Sequence, residues 1–279
     1  MIDLDLIKKA LAEDLAGGVD ITSHATIPET SISTADFVSR KSGVLAGIDM
    51  AKAVLNEVGL TDIKVLKEDG QPIAAGDVLL TVRGDTRAIL LAERTALNFL
   101  GHLSGIASET AQWVTAIAGT KCLVRDTRKT TPGYRQLEKY AVRMGGGTNH
   151  RMSLSDAALI KDNHIVAAGG AAKAFSAVRK AFPTAPIEIE VDTLDQLREV
   201  LPLNPDLILL DNMSPQLCAE AISIINGATK SEASGGITLE NTRKYAEVGV
   251  DYIAVGALTH SVMNIDIGVD FRSADAARN

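Results

Sequence analysis

The sequence predicts an α/β fold in which the second half of the chain forms an incomplete barrel of parallel strands. Short apolar runs alternate there with helical patterns, as in successive strand–helix units. Six or seven such strands can be counted, fewer than a complete barrel has. Chemically capable residues follow nearly every run and would share one rim of a barrel, whereas an open doubly wound sheet would concentrate function at one switch point. The barrel is therefore favoured.

The first hundred residues lack the regular strand–helix alternation of the second half, which predicts a separate domain. An opening helix carries Leu4, Ile7, Leu11 and Leu15 on one face. Short strands are predicted at residues 35–39, 63–66 and 78–82, and helices at 51–58, 90–100 and 107–117. The last two helices are expected to be joined around Gly101–Gly105. We place the boundary after Ser104, which gives domains 1–104 and 105–279.

Helix start signals support the alternation in the second half. Thr193 and Gln196 form a capping-box pattern, and Ser214 with Pro215 supplies an N-cap and a first helical residue. The predicted strands are residues 122–124, 157–160, 187–191, 207–210, 231–233 and 252–255, with helical patterns near 171–182, 194–201, 215–225 and 239–249.

Composition excludes several classes of protein. The 28 basic and 35 acidic side chains give a formal charge of −7, which argues against non-specific nucleic-acid binding. Apolar stretches fall short of the roughly 18 residues that a membrane span needs. The first helix is acidic, unlike a signal peptide, so we expect a cytoplasmic protein. Cys122 and Cys218 lack the spacing of a disulfide framework or zinc site and are expected to be packing residues.

Positive charge is concentrated in the middle of the chain. Between Lys121 and His164 there are nine basic and four acidic side chains, which would attract a small anion. Arg135, Lys139 and Arg143 are spaced four apart, however, and their favoured interpretation is a solvated helix face.

Two acidic strand ends suggest a metal site. Glu190 and Asp211 end neighbouring predicted strands and could hold a magnesium ion directly or through water, although each could instead cap the following helix. Their place on one rim favours the metal site.

Glycine-rich segments provide further candidates. Ser234–Gly236, followed by Thr238 opening a helix, suits phosphate, although a Gly pair is also common in tight turns. Gly145–Gly147 permits either close approach of a ligand or a hinge, and the sequence leaves both open.

Lys161 has two readings. It could form a Schiff base of the aldolase type or remain charged and hold an anion. The cations Arg128, Lys129, His150 and Arg151 are near in sequence and favour the second role. His24, His102, His164 and His260 are expected to be structural.

An ordered set of motifs over nearly the whole chain closely resembles the quinolinate phosphoribosyltransferase family. The matching segments are residues 93–95 (ERT), 97–98 (LN), 128–133 (RKTTPG), 137–142 (LEKYAV), 145–147 (GGG), 149–151 (NHR), 159–164 (LIKDNH), 188–191 (EIEV), 210–212 (LDN), 232–237 (EASGGI) and 256–261 (GALTHS). One departure is the valine before Asp20, where the family usually has glycine.

The resemblance implies an amino-terminal α/β sandwich domain, an incomplete α/β barrel and a homodimer with sites built from both chains. It implies that quinolinate and phosphoribosyl pyrophosphate give nicotinate mononucleotide, carbon dioxide and pyrophosphate, with Mg²⁺ as cofactor, on the de novo route to NAD.

The resemblance also implies roles for particular residues. Arg94 of the partner subunit and the chain's own Arg128, Lys129, His150, Arg151 and Lys161 would surround quinolinate. Glu190 and Asp211 would face the ribose and the metal, and Ser234, Gly235, Gly236 and Gly256 would hold the 5′-phosphate. The expected catalytic residues are Glu190, Asp211, Lys129 and Lys161.

A different class of function is a repurposed, non-catalytic ligand-binding paralogue associated with molybdenum transport. The nearly complete set of cationic residues argues against that alternative.

Overall fold

The computed structural model describes residues 2–272, which pack as two compact units. The first unit comprises the chain up to Glu109, Gln136–Gly146 and the stretch from Ser261. The second comprises Thr110–Arg135 and Gly147–His260. Neither unit is one continuous stretch, so this packing division is more interleaved than the predicted cut after Ser104.

The first unit is built around a four-stranded antiparallel sheet. Its strands lie in the order β12 (Ile267–Phe271), β1 (Ile32–Ser39), β5 (Val78–Asp85) and β3 (Asp62–Val65), so the last strand among the described residues pairs with the first. The elements up to the long fourth helix are α1 (Leu4–Leu15), α2 (Ile21–Thr26), β1 (Ile32–Ser39), β2 (Gly43–Val44), α3 (Ile48–Glu57), β3 (Asp62–Val65), β4 (Pro72–Ile73) and β5 (Val78–Asp85). The strands predicted in this part of the chain are all present.

The two helices predicted around Gly101–Gly105 are one helix, α4 (Thr86–Ala116), so that prediction was wrong. Gly101 and Gly105 lie inside α4 and allow close approach of the backbone at 263–265. A Cβ on Gly105 would overlap the carbonyl oxygen of Met263, and one on Gly101 would lie 2.9 Å from that of Ile265. The glycines therefore serve packing rather than a break in the helix.

The second unit contains a six-stranded parallel sheet with helices between its strands, which confirms the predicted fold class. The remaining elements of the chain, of which nearly all of α5 and the whole of β12 belong to the first unit, are β6 (Leu123–Arg125), α5 (Arg135–Met144), β7 (Ala158–Ile160), α6 (Asp162–Ala168), α7 (Ala171–Ala181), β8 (Ile187–Val191), α8 (Leu194–Val200), a short 3₁₀ turn (Leu201–Leu203), β9 (Leu207–Asp211), α9 (Pro215–Ile225), β10 (Lys230–Ser234), α10 (Thr242–Glu247), β11 (Tyr252–Ala254), α11 (Ala257–His260) and β12 (Ile267–Phe271).

The sheet order is β6-β11-β10-β9-β8-β7. This is the cyclic order of a barrel that stays open between its first two strands. Thr148 forms an isolated parallel bridge with Arg125, so the segment before β7 runs beside β6 at the opening.

Helix α5 corrects another expectation. Lys139, predicted on a solvated face, is fully buried, as is Glu138. Leu137 and Val142 are buried too, so the chain packs around both the apolar and the charged sides of this helix. The carboxylate of Glu138 contacts His102 Nε2 at 2.9 Å. A charge spacing of four therefore did not indicate exposure for Lys139.

Both cysteines are buried, as expected of packing residues, and burial raises the pKa of Cys122 to about 12 and that of Cys218 to about 11. Within residues 2–272, none of the helices has the length and apolar character required to cross a membrane.

Candidate active site

A cavity of about 770 Å³ lies at the carboxyl ends of the barrel strands in the second unit. Strand register brings those ends together, because Glu190 pairs with Leu209, and Asp211 pairs with Ser234. The predicted site residues on its wall are Arg128, Lys129, His150, Arg151, Lys161, Glu190, Asp211, Ser234, Gly235, Gly236 and Gly256. Arg94 belongs to the first unit, where it is exposed on α4.

Glu190 and Asp211 form the acidic side of the cavity. Burial raises the pKa of Glu190, the ammonium of Lys161 opposes that shift, and the charge of Asp211 adds to it. Burial likewise raises the pKa of Asp211, again opposed by Lys161. The alternative role as helix caps is not what the structure has, because Thr193 caps α8 and Ser214 caps α9.

Arg128 and Arg151 contribute positive charge to the wall of the same cavity. Burial and the neighbouring charge of Arg128 both lower the pKa of Arg151. The Nε of Arg128 is buried and has no hydrogen-bond partner among the described residues. Two half-buried guanidinium groups that repel each other are stabilised when an anion binds between them, so this wall suits an anionic ligand.

Lys161 is the cation that lies next to the acidic pair Glu190 and Asp211. Its Nζ is 3.7 Å from Glu190 Oε2, and its side chain is 50% exposed. Nothing around it desolvates the amine in the way that an imine-forming lysine requires. The structure therefore favours the charged, anion-holding role over the Schiff-base alternative.

The loop after β10 gives a glycine cradle. Gly235 and Gly236 have φ values of +87° and +62°, which glycine adopts without strain. A Cβ on Gly235 would overlap the Asn212 side chain, whereas one on Gly236 would meet open space. At Gly256 an added Cβ would lie 2.9 Å from Lys129 Cδ. These positions leave backbone accessible to a ligand.

The helix expected to open at Thr238 begins later, so that part of the phosphate prediction was wrong. Helix α10 starts at Thr242, and Asn241 Oδ1 instead accepts the N–H of Thr238 in a turn at 2.9 Å. A phosphate bound at this glycine loop would therefore not lie at the N-terminus of α10.

Gly145–Gly147 do not line the cavity. Gly146, with φ +85°, follows the end of α5, and the chain then enters the segment beside β6. The glycine run lets the chain turn after α5. The chain then reaches the cavity wall at His150 and Arg151.

Sequence reasoning missed a buried cluster next to His150. It consists of Arg125, Glu188 and Glu232; Arg125 Nη1 contacts Glu232 Oε2 at 2.8 Å, and His150 Nε2 contacts Glu188 Oε2 at 2.7 Å. A signal was present, because Glu188 and Glu190 are two residues apart on one strand and so share a face, as do Glu232 and Ser234.

A parallel α/β barrel with cations, paired carboxylates and a glycine cradle at the carboxyl ends of its strands defines an enzyme that acts on anionic substrates. The family model for the C-terminal domain of quinolinate phosphoribosyl transferase matches residues 106–270, and that for the N-terminal domain matches residues 20–104. The chain belongs to the quinolinate phosphoribosyltransferase family.

Relatives agree over nearly full length. The chain is 52% identical to the carboxylating nicotinate-nucleotide pyrophosphorylase of Mycobacterium leprae, covering 95% of this chain and 96% of that one. It is 40% identical to a probable enzyme of the same name from Bacillus subtilis, with 95% and 92% covered. The solved structure of nicotinate-nucleotide pyrophosphorylase from Ehrlichia chaffeensis superposes with a TM-score of 0.92 at 39% identity, covering 96% and 98%. These names give no support to the molybdenum-transport alternative.

Proposed function

We propose that the chain is a carboxylating nicotinate-nucleotide pyrophosphorylase that acts in de novo NAD biosynthesis. Quinolinate attacks C1 of phosphoribosyl pyrophosphate through its ring nitrogen, pyrophosphate leaves, and loss of carbon dioxide gives nicotinate mononucleotide. The observation that carries the proposal is one cavity in which Arg128, Arg151 and two lysines lie with Glu190 and Asp211.

The cationic wall suits a dicarboxylate. Arg128, Lys129, Arg151 and Lys161 together supply four positive charges at the cavity. Quinolinate carries two carboxylates, and an acceptor with only one would not need so many cations. Arg94 of the partner subunit would add to this set in a homodimer with shared sites.

Transfer of the sugar develops positive charge at C1 as pyrophosphate leaves. Glu190 and Asp211 lie at adjacent strand ends, where their carboxylates can stabilise that charge in the transition state. The glycine cradle at Ser234–Gly236, with Gly256, would hold the 5′-phosphate and fix the position of the ribose.

The acidic pair fits a hard divalent cation. Burial, and to a smaller extent the charge of Asp211, raises the pKa of Glu190, and a positive ion shared by the two carboxylates would stabilise their charged forms. Glu190 and Asp211 would hold Mg²⁺, either directly or through water. Bound there, Mg²⁺ supplies charge neutralisation for the departing pyrophosphate.

Decarboxylation needs little from the protein. Once glycosylated, the ring nitrogen is cationic, and its charge stabilises the electron pair that stays on C2 when carbon dioxide departs. C2 then takes a proton, for which the ammonium groups of Lys129 and Lys161 are the donors at the cavity. This is the catalytic role that we propose for the two lysines.

A cytoplasmic location of the enzyme stays a prediction.

The test is incubation of the purified chain with quinolinate, phosphoribosyl pyrophosphate and Mg²⁺. We expect nicotinate mononucleotide and carbon dioxide in equal amounts, with the carbon dioxide derived from the C2 carboxylate. Nicotinate in place of quinolinate is the matched control acceptor and should give little product. Efficient use of nicotinate, or quinolinate binding by calorimetry without turnover, would contradict the proposal.

A further inference from the structure

We propose that His150 is a neutral brace with its proton on Nε2, which positions Arg151 and does not present a positive charge to the substrate. Arg125, Glu188 and Glu232 would then be positioning residues that act through His150. This inference rests on the proposed function for its catalytic consequence, and it differs from the role that the family resemblance implies for His150 as one of the cations around quinolinate.

Both ring nitrogens of His150 are bonded to the protein. The backbone N–H of Arg151 donates to Nδ1 at 2.8 Å, and a ring nitrogen that accepts a hydrogen bond carries no proton itself. The proton is therefore on Nε2, which donates to Glu188 Oε2 at 2.7 Å. With the residue only 8% exposed, the ring has no further nitrogen to offer a ligand.

The alternative is an imidazolium between two carboxylates. Glu188 on β8 and Glu232 on β10 both face His150, with Glu232 Oε1 at 3.7 Å from Nε2. A second proton would have to sit on Nδ1, where it would point at the Arg151 N–H, so two donors would oppose each other in a buried site.

The surrounding charges offer another place for such a proton. Arg125 on β6 already compensates Glu232, and its guanidinium also lies 4.0 Å from the centre of the Tyr252 ring. Burial and the charge of Glu188 raise the pKa of Glu232. The Glu232 carboxyl is therefore a group of this cluster that can take up a proton.

The brace holds the segment that carries Arg151 across the opening of the barrel. Thr148 N–H donates to Val124 O, and the N–H of His150 donates to Asp126 Oδ1, each at 2.8 Å, which ties the segment to β6 and the residue after it. The His150 ring ties it to β8. Arg151 then lines the cavity, and its Nη1 donates to Ala157 O, just before β7, at 2.8 Å.

The protonation state is tested directly by long-range ¹H–¹⁵N NMR on the full chain labelled with ¹⁵N-histidine. The His150 signals are assigned by their loss in His150→Gln, and exposed His24 is the reference in the same spectrum. We expect Nδ1 at the shift of an unprotonated ring nitrogen and Nε2 at that of a protonated one, with and without quinolinate.

Two results of the NMR experiment would overturn the proposal. Protonation of both nitrogens, in the free protein or with quinolinate, would show an imidazolium. Loss of the proton from Nε2 when Zn²⁺ is added to chelator-treated protein at a stoichiometric amount would show that His150, Glu188 and Glu232 form a metal site instead. Neither reading depends on activity, so failure of the proposed function would not be confused with failure of the brace.

A double-mutant cycle tests the route through Arg151. If His150 acts by positioning Arg151, the loss of kcat/KM in His150→Gln with Arg151→Ala should be no larger than in Arg151→Ala alone, within about threefold. Losses that multiply would contradict the proposal. His150→Asn, which keeps an acceptor near Nδ1, should retain more activity than His150→Ala; the reverse order would also contradict it. Thermal unfolding of each variant checks that it is folded. If a variant is not folded, the NMR experiment on the unmodified protein still tests the protonation state of His150.

Discussion

The half-buried guanidinium of Arg128 is one of the groups that make the cavity suitable for anions. The Nε of Arg128 has no hydrogen-bond partner among the described residues, and the charge of Arg128 also acts on Arg151. A bound carboxylate would supply a charge-assisted, bidentate partner. At the scale of single residues, an anionic substrate would therefore supply the hydrogen-bond partner that Arg128 Nε lacks among the described residues.

Arg128→Ala should lower kcat/KM for quinolinate by an amount that corresponds to about 2–4 kcal/mol of lost transition-state stabilisation, as expected when one preorganised charge contact is removed. Steady-state kinetics with quinolinate varied at saturating phosphoribosyl pyrophosphate would measure it. Arg198→Ala, which removes an arginine from an exposed ion pair, is the matched control and should be unchanged. Unchanged kinetics for Arg128→Ala would refute its role in binding quinolinate.

The paired change Glu190→Gln and Asp211→Asn should greatly reduce turnover, because it removes the two carboxylates that we propose to stabilise positive charge at C1. In the single variant Asp211→Asn, where residual activity can be titrated, the Mg²⁺ concentration for half-maximal rate should rise. Asp195→Asn removes an exposed carboxylate and controls for net charge. A double variant as active as the unmodified protein would remove the metal role.

At the scale of elements, backbone approach rather than propensity decides the course of α4. Gly101 and Gly105 would weaken an isolated helix, yet the helix continues through both. The N–H of Ile265 donates to the carbonyl oxygen of Gly101 at 2.9 Å, a contact that a larger residue would obstruct.

Gly105→Ala gives a test with a diagnostic sign. In an unobstructed helix the change would stabilise by about 1 kcal/mol. Here the new Cβ meets the Met263 carbonyl, so we expect a loss of about 1–3 kcal/mol in the free energy of unfolding, measured with urea. Gln112→Ala, at an exposed position of the same helix, should be close to neutral. A stabilised Gly105→Ala would contradict the packing explanation.

The same contrast explains what could be predicted from the sequence. The parallel strands were predictable because apolar runs and N-caps such as Thr193 and Ser214 are local signals. The continuity of α4, the burial of Lys139 and the late start of α10 depend on contacts between distant segments, and local patterns do not encode those.

For the site, strand ends were enough to identify the residues of the cavity wall. They were not enough to show how those residues are held. The hydrogen bonds of His150 to Arg151 and Glu188 appear only when the backbone positions are known, and Arg125 gave no sign in sequence of its contact with Glu232.

At the scale of the whole molecule, shared active sites predict complementation. If Arg94 enters the partner's site, an Arg94→Ala chain and a Lys161→Ala chain are each inactive, but their hybrid dimer has one intact site. Equal mixing after dissociation should restore about a quarter of the activity, because half of the dimers are hybrids with one working site. Verified hybrids without activity would refute assembly of the site from two chains.

Stability should also depend on pH through Glu232. Burial raises its pKa from 4.5 to about 7, so the folded state binds more protons than the unfolded state in that interval. This contribution to stability is complete below about pH 4.5 and is lost as pH rises through 7. Urea unfolding over this range should show a smaller fall in the free energy of unfolding for Glu232→Gln than for the unmodified protein. Equal falls in the two proteins would argue against the raised pKa.

The opening between β6 and β7 has a consequence for how such an enzyme can change its acceptor. Arg151 lines the cavity, its segment runs beside β6, and its side chain donates to the carbonyl oxygen of Ala157 just before β7, so one residue shapes the cavity and also links two edges of the sheet. Substitutions selected for a new acceptor at Arg151 would loosen the barrel wall as they reshape the cavity. Arg128 lies in the loop after β6, outside the strands, so its substitution would not remove this link between the sheet edges.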